Sequence, residues 1–240
     1  MRLRGLLSTA AAGILLLGAA GTYWIASPTQ AHLTLPAPLQ SFDPGSIADS
    51  PYAKDFAPLA RSFRPQAYRS FCGPASLATV LRAYGKSTAD QTTVFRSLSS
   101  KLKAFYSGMT LAELDELARN AGLSTQLVYA NTMSLEEFRQ RLKSNLSHPG
   151  DFVLVNYDRR VLQQSGAGHI SPVGAYDENR DAFLVLDEAA YHYPFTWVPA
   201  RLLYDAAHTT DAPNRFRGIL LISGYRDPTP TKRPADSPAR

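Results

Sequence analysis

The chain has 240 residues, of which 45% are hydrophobic, and its 12 tyrosines and 11 phenylalanines are enough to build a core. A single cysteine excludes an internal disulfide and a cysteine-rich metal site. The formal net charge is +5, but no basic cluster interleaved with aromatic residues appears, so nucleic acid is not an expected partner.

The N-terminus has the features of an export signal. Arg2 and Arg4 precede an uncharged, apolar stretch over residues 5–26, and small residues follow it. That stretch is also long enough to span a bilayer. We therefore predict that residues 1–31 are a signal peptide or an N-terminal membrane anchor. The remainder would be exported, either to the periplasm or to the outer side of the inner membrane, with no other membrane contact.

Two further segments lack a sustained hydrophobic period. Residues 32–60 are rich in Pro, Ser, Asp and Ala and are predicted to form an extended arm. Residues 226–240 are Pro-rich and charged, which is typical of a disordered tail. We predict that the remaining residues, 61–225, form one folded domain.

Three segments in the first part of this domain have helical spacing: "GPASLATVLRAYG", "TLAELDELARNAG" and "SLEEFRQRLKSNL". Gly85 ends the first helix. Thr110 with Glu113, and Ser134 with Glu137, form capping boxes that begin the other two. Between these two helices, "STQLVYA" predicts a short strand.

The second part changes to strand patterns. "DFVLVNY" and "RGILLISGY" read as strands, and "GHISPVGAY" and "AFLVLDEA" flank the polar turn "DENRD" as an antiparallel hairpin. Helices followed by antiparallel strands predict an α+β fold.

The hairpin brings His169 close to Asp187. If its turn centres between Asp177 and Asp181, Asp187 lies opposite His169 or one diagonal step away, on the same face. A carboxylate beside an imidazole fixes its tautomer and favours the imidazolium. This pair predicts a relay for a cysteine nucleophile.

Cys72 is the candidate nucleophile, because it lies where a loop becomes a helix. The helix dipole and a nearby imidazolium would lower the pKa of its thiol and give a thiolate at neutral pH. Gln66, on the preceding loop, would donate to an oxyanion together with the Cys72 backbone N–H. The alternative is structural: a lone cysteine is usually a small buried hydrophobe, and a histidine on a strand is usually a packing residue.

The segments "QAYRSFCGPAS", "GHISPVGAY" and "VLDEAAYHYPFTWVP" resemble the phytochelatin synthase family, in the family's order, within a likeness from about Phe63 to Tyr225. The resemblance implies a papain-like fold, with a helical lobe carrying Cys72 and an antiparallel lobe carrying His169 and Asp187. It implies Cys72 as nucleophile, His169 as base and then acid, Asp187 as orienting carboxylate, and Gln66 in the oxyanion hole.

The resemblance also implies a reaction. Glutathione loses glycine and leaves a γ-glutamylcysteinyl thioester on the cysteine, which passes to water or to a second glutathione. No cofactor is required and no metal site is expected in the protein, although the substrate is in some cases a cadmium or zinc thiolate of glutathione. A general exported cysteine peptidase and an inactive binding module of the same fold remain the alternatives.

Four further positions bear on the substrate. The segment "TTDAPNRFRG" places Asp211 and Arg217 where the family has an acidic residue and an Arg-Gly step, so these two are candidate contacts for the γ-glutamyl end of glutathione. Ala190 and His192 stand where the family often has two basic residues, which predicts weak binding of a second glutathione and mainly hydrolysis. All histidines other than His169 lack ligand spacing and are predicted to be surface or packing residues: His32, His148, His192 and His208.

Overall fold

A seven-stranded sheet forms the centre of the computed structural model, which describes residues 31–47, 50–212 and 215–226. The strands are β1 (Gln40–Ser41), β2 (Leu123–Tyr129), β3 (Phe152–Asp158), β4 (Gly168–Asp177), β5 (Ala182–Val185), β6 (Thr196–Pro199) and β9 (Gly218–Tyr225). Their order is β1-β6-β5-β4-β3-β9-β2, and every neighbouring pair is antiparallel. Strands β7 (Thr210–Ala212) and β8 (Arg215–Phe216) form a separate small ladder. The α+β prediction is confirmed.

Six helices accompany the sheet in the described residues: α1 (Phe56–Ser62), α2 (Cys72–Ala83), α3 (Leu98–Ser107), α4 (Leu111–Asn120), α5 (Leu135–Leu146) and α6 (Ala200–Ala207). Helices α1, α2 and α4 cover one sheet face, and α5 and α6 cover the other. Both faces of the central strands are therefore buried. This explains why β3 is a continuous apolar run rather than an alternating one.

Alternate residues of β3 serve the two cores. Phe152 and Leu154 pack with α2 and α4, whereas Val153, Val155 and Tyr157 pack with α5 and α6. Burying an aliphatic side chain contributes about 1.5–3 kcal/mol. The central strands are thus fixed from both sides, and they give a rigid base for the residues at their ends.

The predicted helix starts are confirmed where a capping box marks them. The Thr110 hydroxyl accepts from the Glu113 N–H while the Glu113 carboxylate accepts from the Thr110 N–H, and Ser134 and Glu137 repeat the arrangement. Helix α2 ends at Ala83, and Gly85 has a φ of 85°, which suits glycine at a helix stop.

The arm predicted over residues 32–60 is only partly extended. Gln40–Ser41 adds a strand beside β6, and Phe56–Ser62 forms α1 with Leu59 almost fully buried. The sequence did not predict this helix because it contains Pro58, and proline usually breaks helices. Pro58 lies in the first turn, where proline is tolerated. Helices α3 and α6 were not predicted either.

The hairpin of β4 and β5 contains a bulge that sets its register. Asp177 pairs with Ala182, but beyond Gly174 the pairing shifts so that Val173 faces Val185. A Cβ at Gly174 would approach Leu186 Cδ1 to 2.6 Å, so this close packing requires glycine. Leu186 N–H donates to Pro172 O, which brings Asp187 one diagonal step from His169. The prediction of their proximity is confirmed.

No helix within the described ranges is long and apolar enough to cross a bilayer. The predicted export segment falls on residues 1–31 and the predicted tail on residues 226–240. Apart from Ala31 and Arg226, both lie outside the residues that the structure describes.

Candidate active site

Cys72 is the first residue of α2, and it is 9% exposed. The N–H groups of a first helical turn have no partner inside the helix and point beyond its end. A Cβ at Gly73 would lie 3.3 Å from Met109 Sδ and 3.4 Å from Ile170 Cδ1, so glycine lets both side chains close over the helix start. The nucleophile candidate therefore lies at a tightly packed helix N-terminus.

His169 lies on β4 with its ring directed at Asp187. Its Nε2 is 3.0 Å from Asp187 Oδ1, and both residues are buried. Tyr157, the cross-strand partner of His169, packs edge-on against the imidazole at 5.6 Å between ring centroids. A carboxylate on Nε2 fixes the proton there and leaves Nδ1 unprotonated in the neutral ring.

Arg159 is a buried member of the site that the sequence analysis missed. Its Nη2 lies 2.6 Å from Asp187 Oδ1, and its Nη1 lies 2.8 Å from Gln164 Oε1. Its guanidinium stacks 5.2 Å from the centroid of the Tyr193 ring. The available signal was the β3–β4 pairing: continued past Asp158, it places Arg159 beside the strand that carries His169.

The charges of these residues differ from the expected ones. Burial raises the pKa of the Cys72 thiol, although the backbone of Ile170 and of Gly73 act to lower it. Burial and then the Arg159 charge lower the pKa of His169 to about 4, against the opposing effect of Asp187. Burial therefore favours the neutral thiol and the neutral imidazole, and it does not support the resting thiolate that the sequence predicts. The carboxyl of Asp187 is ionised, because Arg159 and His169 outweigh burial and lower its pKa.

Glu188 is a second buried carboxyl next to this site. Its side chain lies under α2, with Oε1 3.4 Å from Thr79 Oγ1, and its Oε2 has no hydrogen-bond partner in the described part of the chain. Burial and then the charge of Asp187 raise its pKa well above the usual range. Burial therefore favours the protonated form of Glu188, next to an ionised Asp187.

Gln66 is buried behind the helix start and is not one of the residues lining the cavity described below. Its Nε2 lies 3.1 Å from Tyr68 O, 2.9 Å from Arg69 O and 2.8 Å from the Tyr191 hydroxyl. Its backbone N–H donates to Glu188 O. Gln66 thus joins the loop before Cys72 to the segment after Asp187.

A cavity of about 790 Å³ opens over Cys72 and His169. Its wall includes both predicted substrate contacts, together with other polar and aromatic side chains: Arg69, Lys103, Phe105, Tyr106, Asn156, Arg160, Asp211, Arg215 and Arg217. Cationic side chains outnumber the single carboxylate in that set. The wall therefore favours an anionic ligand.

Arg217 is held over Gly168, next to His169. The side chain is 3% exposed, Nη1 is 3.3 Å from Thr209 Oγ1, and the buried Nε has no hydrogen-bond partner in the described ranges. A Cβ at Gly168 would lie 2.5 Å from Arg217 Nη2. Gly218 has the same need for space, since a Cβ there would meet Val128 O at 2.2 Å. The Arg-Gly step thus aims a guanidinium into the cavity while β9 pairs tightly with β2.

Asp211 lies on the same side of the cavity but is more exposed. Its Oδ1 is 4.0 Å from Arg215 Nε. Its charge acts on Arg217 and partly offsets the burial that lowers the pKa of that guanidinium. The structure therefore brings together five of the six predicted site residues around one cavity and its immediate support, with Gln66 behind it.

Ala190 and His192 are not among the residues that line the cavity. The His192 Nδ1 is 3.0 Å from Ala31 O, so this side chain contacts the N-terminal arm. His148 is an exposed residue at the end of α5, and His208 packs edge-on against Tyr204 after α6, as predicted for surface and packing residues. Within the described ranges, no cluster of His, Cys, Asp and Glu is arranged to hold a metal ion.

Comparison with known proteins identifies the family to which these residues belong. The phytochelatin synthase family model matches residues 46–219. The chain belongs to the phytochelatin synthase family. It is 34% identical over 184 residues to glutathione gamma-glutamylcysteinyltransferase 1 of Triticum aestivum, covering 70% of this chain and 36% of that protein.

A fungal relative gives the same result. The chain is 30% identical over 191 residues to glutathione gamma-glutamylcysteinyltransferase of Schizosaccharomyces pombe, covering 73% of this chain and 45% of that protein. The chain thus spans less than half the length of these relatives. The matched part contains Cys72, His169, Asp187 and both predicted substrate contacts.

Proposed function

We propose that this protein cleaves glutathione through a γ-glutamylcysteinyl thioester on Cys72 and releases glycine. The observation that carries the proposal is the joint placement of Cys72 and His169 in one cavity, with Asp187 on the far side of the imidazole. Membership of a family whose relatives are named glutathione gamma-glutamylcysteinyltransferases supplies the substrate.

Acylation begins from the neutral pair. The Cys72 sulfur attacks the carbonyl carbon of the Cys–Gly bond while its proton passes to His169 Nδ1, so the imidazolium exists only during the reaction. Asp187, already on Nε2, stabilises that imidazolium without taking its proton. The tetrahedral oxyanion collapses, the C–N bond breaks, and the imidazolium gives its proton to the glycine amine.

The oxyanion and the γ-glutamyl end have separate partners in this proposal. The Cys72 backbone N–H and the Gln66 side-chain amide stabilise the oxyanion. Arg217 pairs with the α-carboxylate of glutathione and Asp211 with its α-ammonium. The unpartnered buried Nε of Arg217 supports this assignment, because a buried guanidinium donor requires an acceptor.

The thioester passes mainly to water, giving γ-glutamylcysteine, and more weakly to the amine of a second glutathione. Neither Ala190 nor His192 presents a cation to the cavity, which supports weak acceptor binding. The reaction requires no cofactor. A cadmium or zinc thiolate of glutathione is the alternative form of the substrate.

Two further proposals concern the fold and the location of the protein. The antiparallel sheet and the helix that begins at the cysteine support a papain-like fold. The order of charges and apolar residues in residues 1–31 supports export, either to the periplasm or to the outer side of the inner membrane.

Incubation with millimolar glutathione, with free glycine as the readout, tests the proposal. Wild type is expected to release glycine and carry a γ-glutamylcysteinyl adduct on Cys72, Cys72→Ser to retain traces, and Cys72→Ala to release none. Mass spectrometry with and without cadmium separates γ-glutamylcysteine from chain-lengthened product. A panel of other peptides is the control: their cleavage without glycine release from glutathione would replace the proposal with a general cysteine peptidase.

A further inference from the structure

The Gln66 amide carries two protons but lies near three oxygen atoms. The carbonyl oxygens of Tyr68 and Arg69 belong to its own loop, whereas the Tyr191 hydroxyl comes from the segment after Asp187. A primary amide nitrogen donates two hydrogen bonds and accepts none. The two N–H groups can bond only two of the three oxygens at any moment, so one oxygen always remains as an alternative acceptor.

One of the two loop carbonyls has a second donor. Tyr68 O also accepts from the backbone N–H of Phe71, so it keeps a partner if the amide turns away. The Tyr191 hydroxyl differs because Gln66 Nε2, at 2.8 Å, is the shortest of the three contacts and lies in a buried environment. Gln66 Oε1 is buried as well, without a partner in the described chain, so the loop holds this amide through its nitrogen.

Tyr191 is linked to the start of α2 through Gln66. It is 7% exposed, and the Gln66 Nε2 that contacts its hydroxyl also contacts Tyr68 O, which accepts from the N–H of Phe71, the residue before Cys72. The same segment fixes the Gln66 backbone through Glu188 O. Gln66 is therefore held at both its backbone and its side chain by the residues that follow Asp187.

We propose that the Tyr191 hydroxyl is a positioning residue that anchors the Gln66 amide, so that its second N–H turns from a loop carbonyl to the oxyanion formed at Cys72. This inference rests on the role of Gln66 in the proposed function. It adds that the Asp187–Tyr191 segment controls both halves of the chemistry: Asp187 orients the base, and Tyr191 holds the oxyanion donor.

Two reagents that react with Cys72 in different ways test the anchor independently of the natural substrate. Acylation by p-nitrophenyl acetate passes through a tetrahedral oxyanion, whereas alkylation by iodoacetamide displaces iodide at a saturated carbon and forms none. Tyr191→Phe is expected to slow acylation roughly 3- to 10-fold, the contribution of one neutral hydrogen bond, and to leave the alkylation rate unchanged. Tyr204→Phe, which removes a buried hydroxyl bonded to Met133 O in the other core, is the matched control and should change neither rate.

A double-mutant cycle decides whether Tyr191 acts through Gln66. In a Gln66→Ala background, Tyr191→Phe is expected to have no further effect on acylation. Additive losses, an unchanged acylation rate in Tyr191→Phe, or equal losses in acylation and alkylation would each overturn the inference. Absence of glycine release from glutathione by wild type, with the cycle behaving as expected, would instead count against the proposed function alone.

Discussion

Burial decides the charge of the residues that react. Cys72 and His169 both lie in a solvent-poor environment, which raises the pKa of the thiol and lowers the pKa of the imidazole to about 4. Asp187 remains ionised, because Arg159 compensates it. Burial thus favours a neutral Cys72 and His169 at rest, and in the proposed reaction charge separates only when the thiol attacks the substrate carbonyl.

This neutrality predicts the pH dependence of Cys72 alkylation. The rate with iodoacetamide follows the thiolate fraction, so the native protein should react slowly at pH 7 and accelerate only in the alkaline range. In 8 M urea the thiol should regain a pKa of about 8.5 and react faster than the native protein at pH 8. Alkylation quenched at fixed times and quantified by mass spectrometry between pH 5 and 10 gives the pH–rate curves of the native and the urea-unfolded protein. An inflection of the native rate between pH 4 and 7 would show a thiolate–imidazolium pair instead.

The sequence predicted the positions of the site residues better than their charges. A helix start and a hairpin register placed Cys72, His169 and Asp187 correctly, because both follow from local patterns. The pKa values depend on burial and on Arg159, whose side chain is fixed by Gln164 and Tyr193 through packing that no local pattern reveals. Gln66 was predicted as a donor, but its three oxygen neighbours come from tertiary contacts.

The residues proposed to act in catalysis and substrate binding lie at the ends of helices and strands rather than in their middles. Helix α2 begins at Cys72, β5 ends two residues before Asp187, and β9 begins directly after Arg217. The rigid elements fix these end residues, so that Cys72 and Arg217 line the cavity while Asp187 supports His169. Gly168, the first residue of β4, matters because it gives Arg217 room.

We expect Gly168→Ala to weaken glutathione binding. The new Cβ would lie 2.5 Å from Arg217 Nη2, and the guanidinium must move from its place beside His169. Loss of one charge-assisted bond corresponds to an increase in KM of about 10-fold or more, with a smaller effect on kcat. Steady-state glycine release measures both constants.

Gly45→Ala is the matched control for this substitution. A Cβ there would approach only the Asp43 side chain, at 3.4 Å, and neither residue lines the cavity, so KM should not change. An unchanged KM in Gly168→Ala would contradict the proposed contact between Arg217 and glutathione.

The elements that the sequence missed share a cause. Helix α1 contains proline in its first turn, and α6 has only eight residues and follows Pro199, so both interrupt the usual helix pattern. Helix α3 begins in a serine-rich segment, where the Ser97 side chain caps it by accepting from the Ser100 N–H. Such short helices owe their stability to tertiary packing, which a local period does not report.

Across the whole molecule, the buried carboxyl of Glu188 links stability to pH. Its pKa is raised in the folded state, so the folded protein binds a proton that the unfolded chain releases above about pH 4.3. This contribution to stability is therefore complete at acidic pH and decreases as the pH rises. The effect opposes that of Asp187, whose lowered pKa stabilises the fold above about pH 3.9.

Glu188→Gln is expected to remove this alkaline loss. The amide has the same shape and no proton to lose, so the free energy of unfolding should exceed that of wild type at pH 8 and approach it near pH 4.5. Urea unfolding followed by fluorescence at several pH values provides the comparison. Glu178→Gln, at an exposed carboxylate that bonds Lys143, is the control for loss of a surface charge. A Glu188→Gln protein less stable than wild type at pH 8 would indicate that Glu188 is ionised and paired.

The neutral resting state of Cys72 also bears on oxidative damage. Peroxide attacks thiolates, so a buried, protonated thiol is oxidised slowly to sulfenic acid. No other cysteine exists within these 240 residues to trap a sulfenic acid as an internal disulfide before it proceeds to the irreversible sulfinic form. The burial that lowers the pKa of His169 is thus the same feature that protects the proposed nucleophile from oxidation.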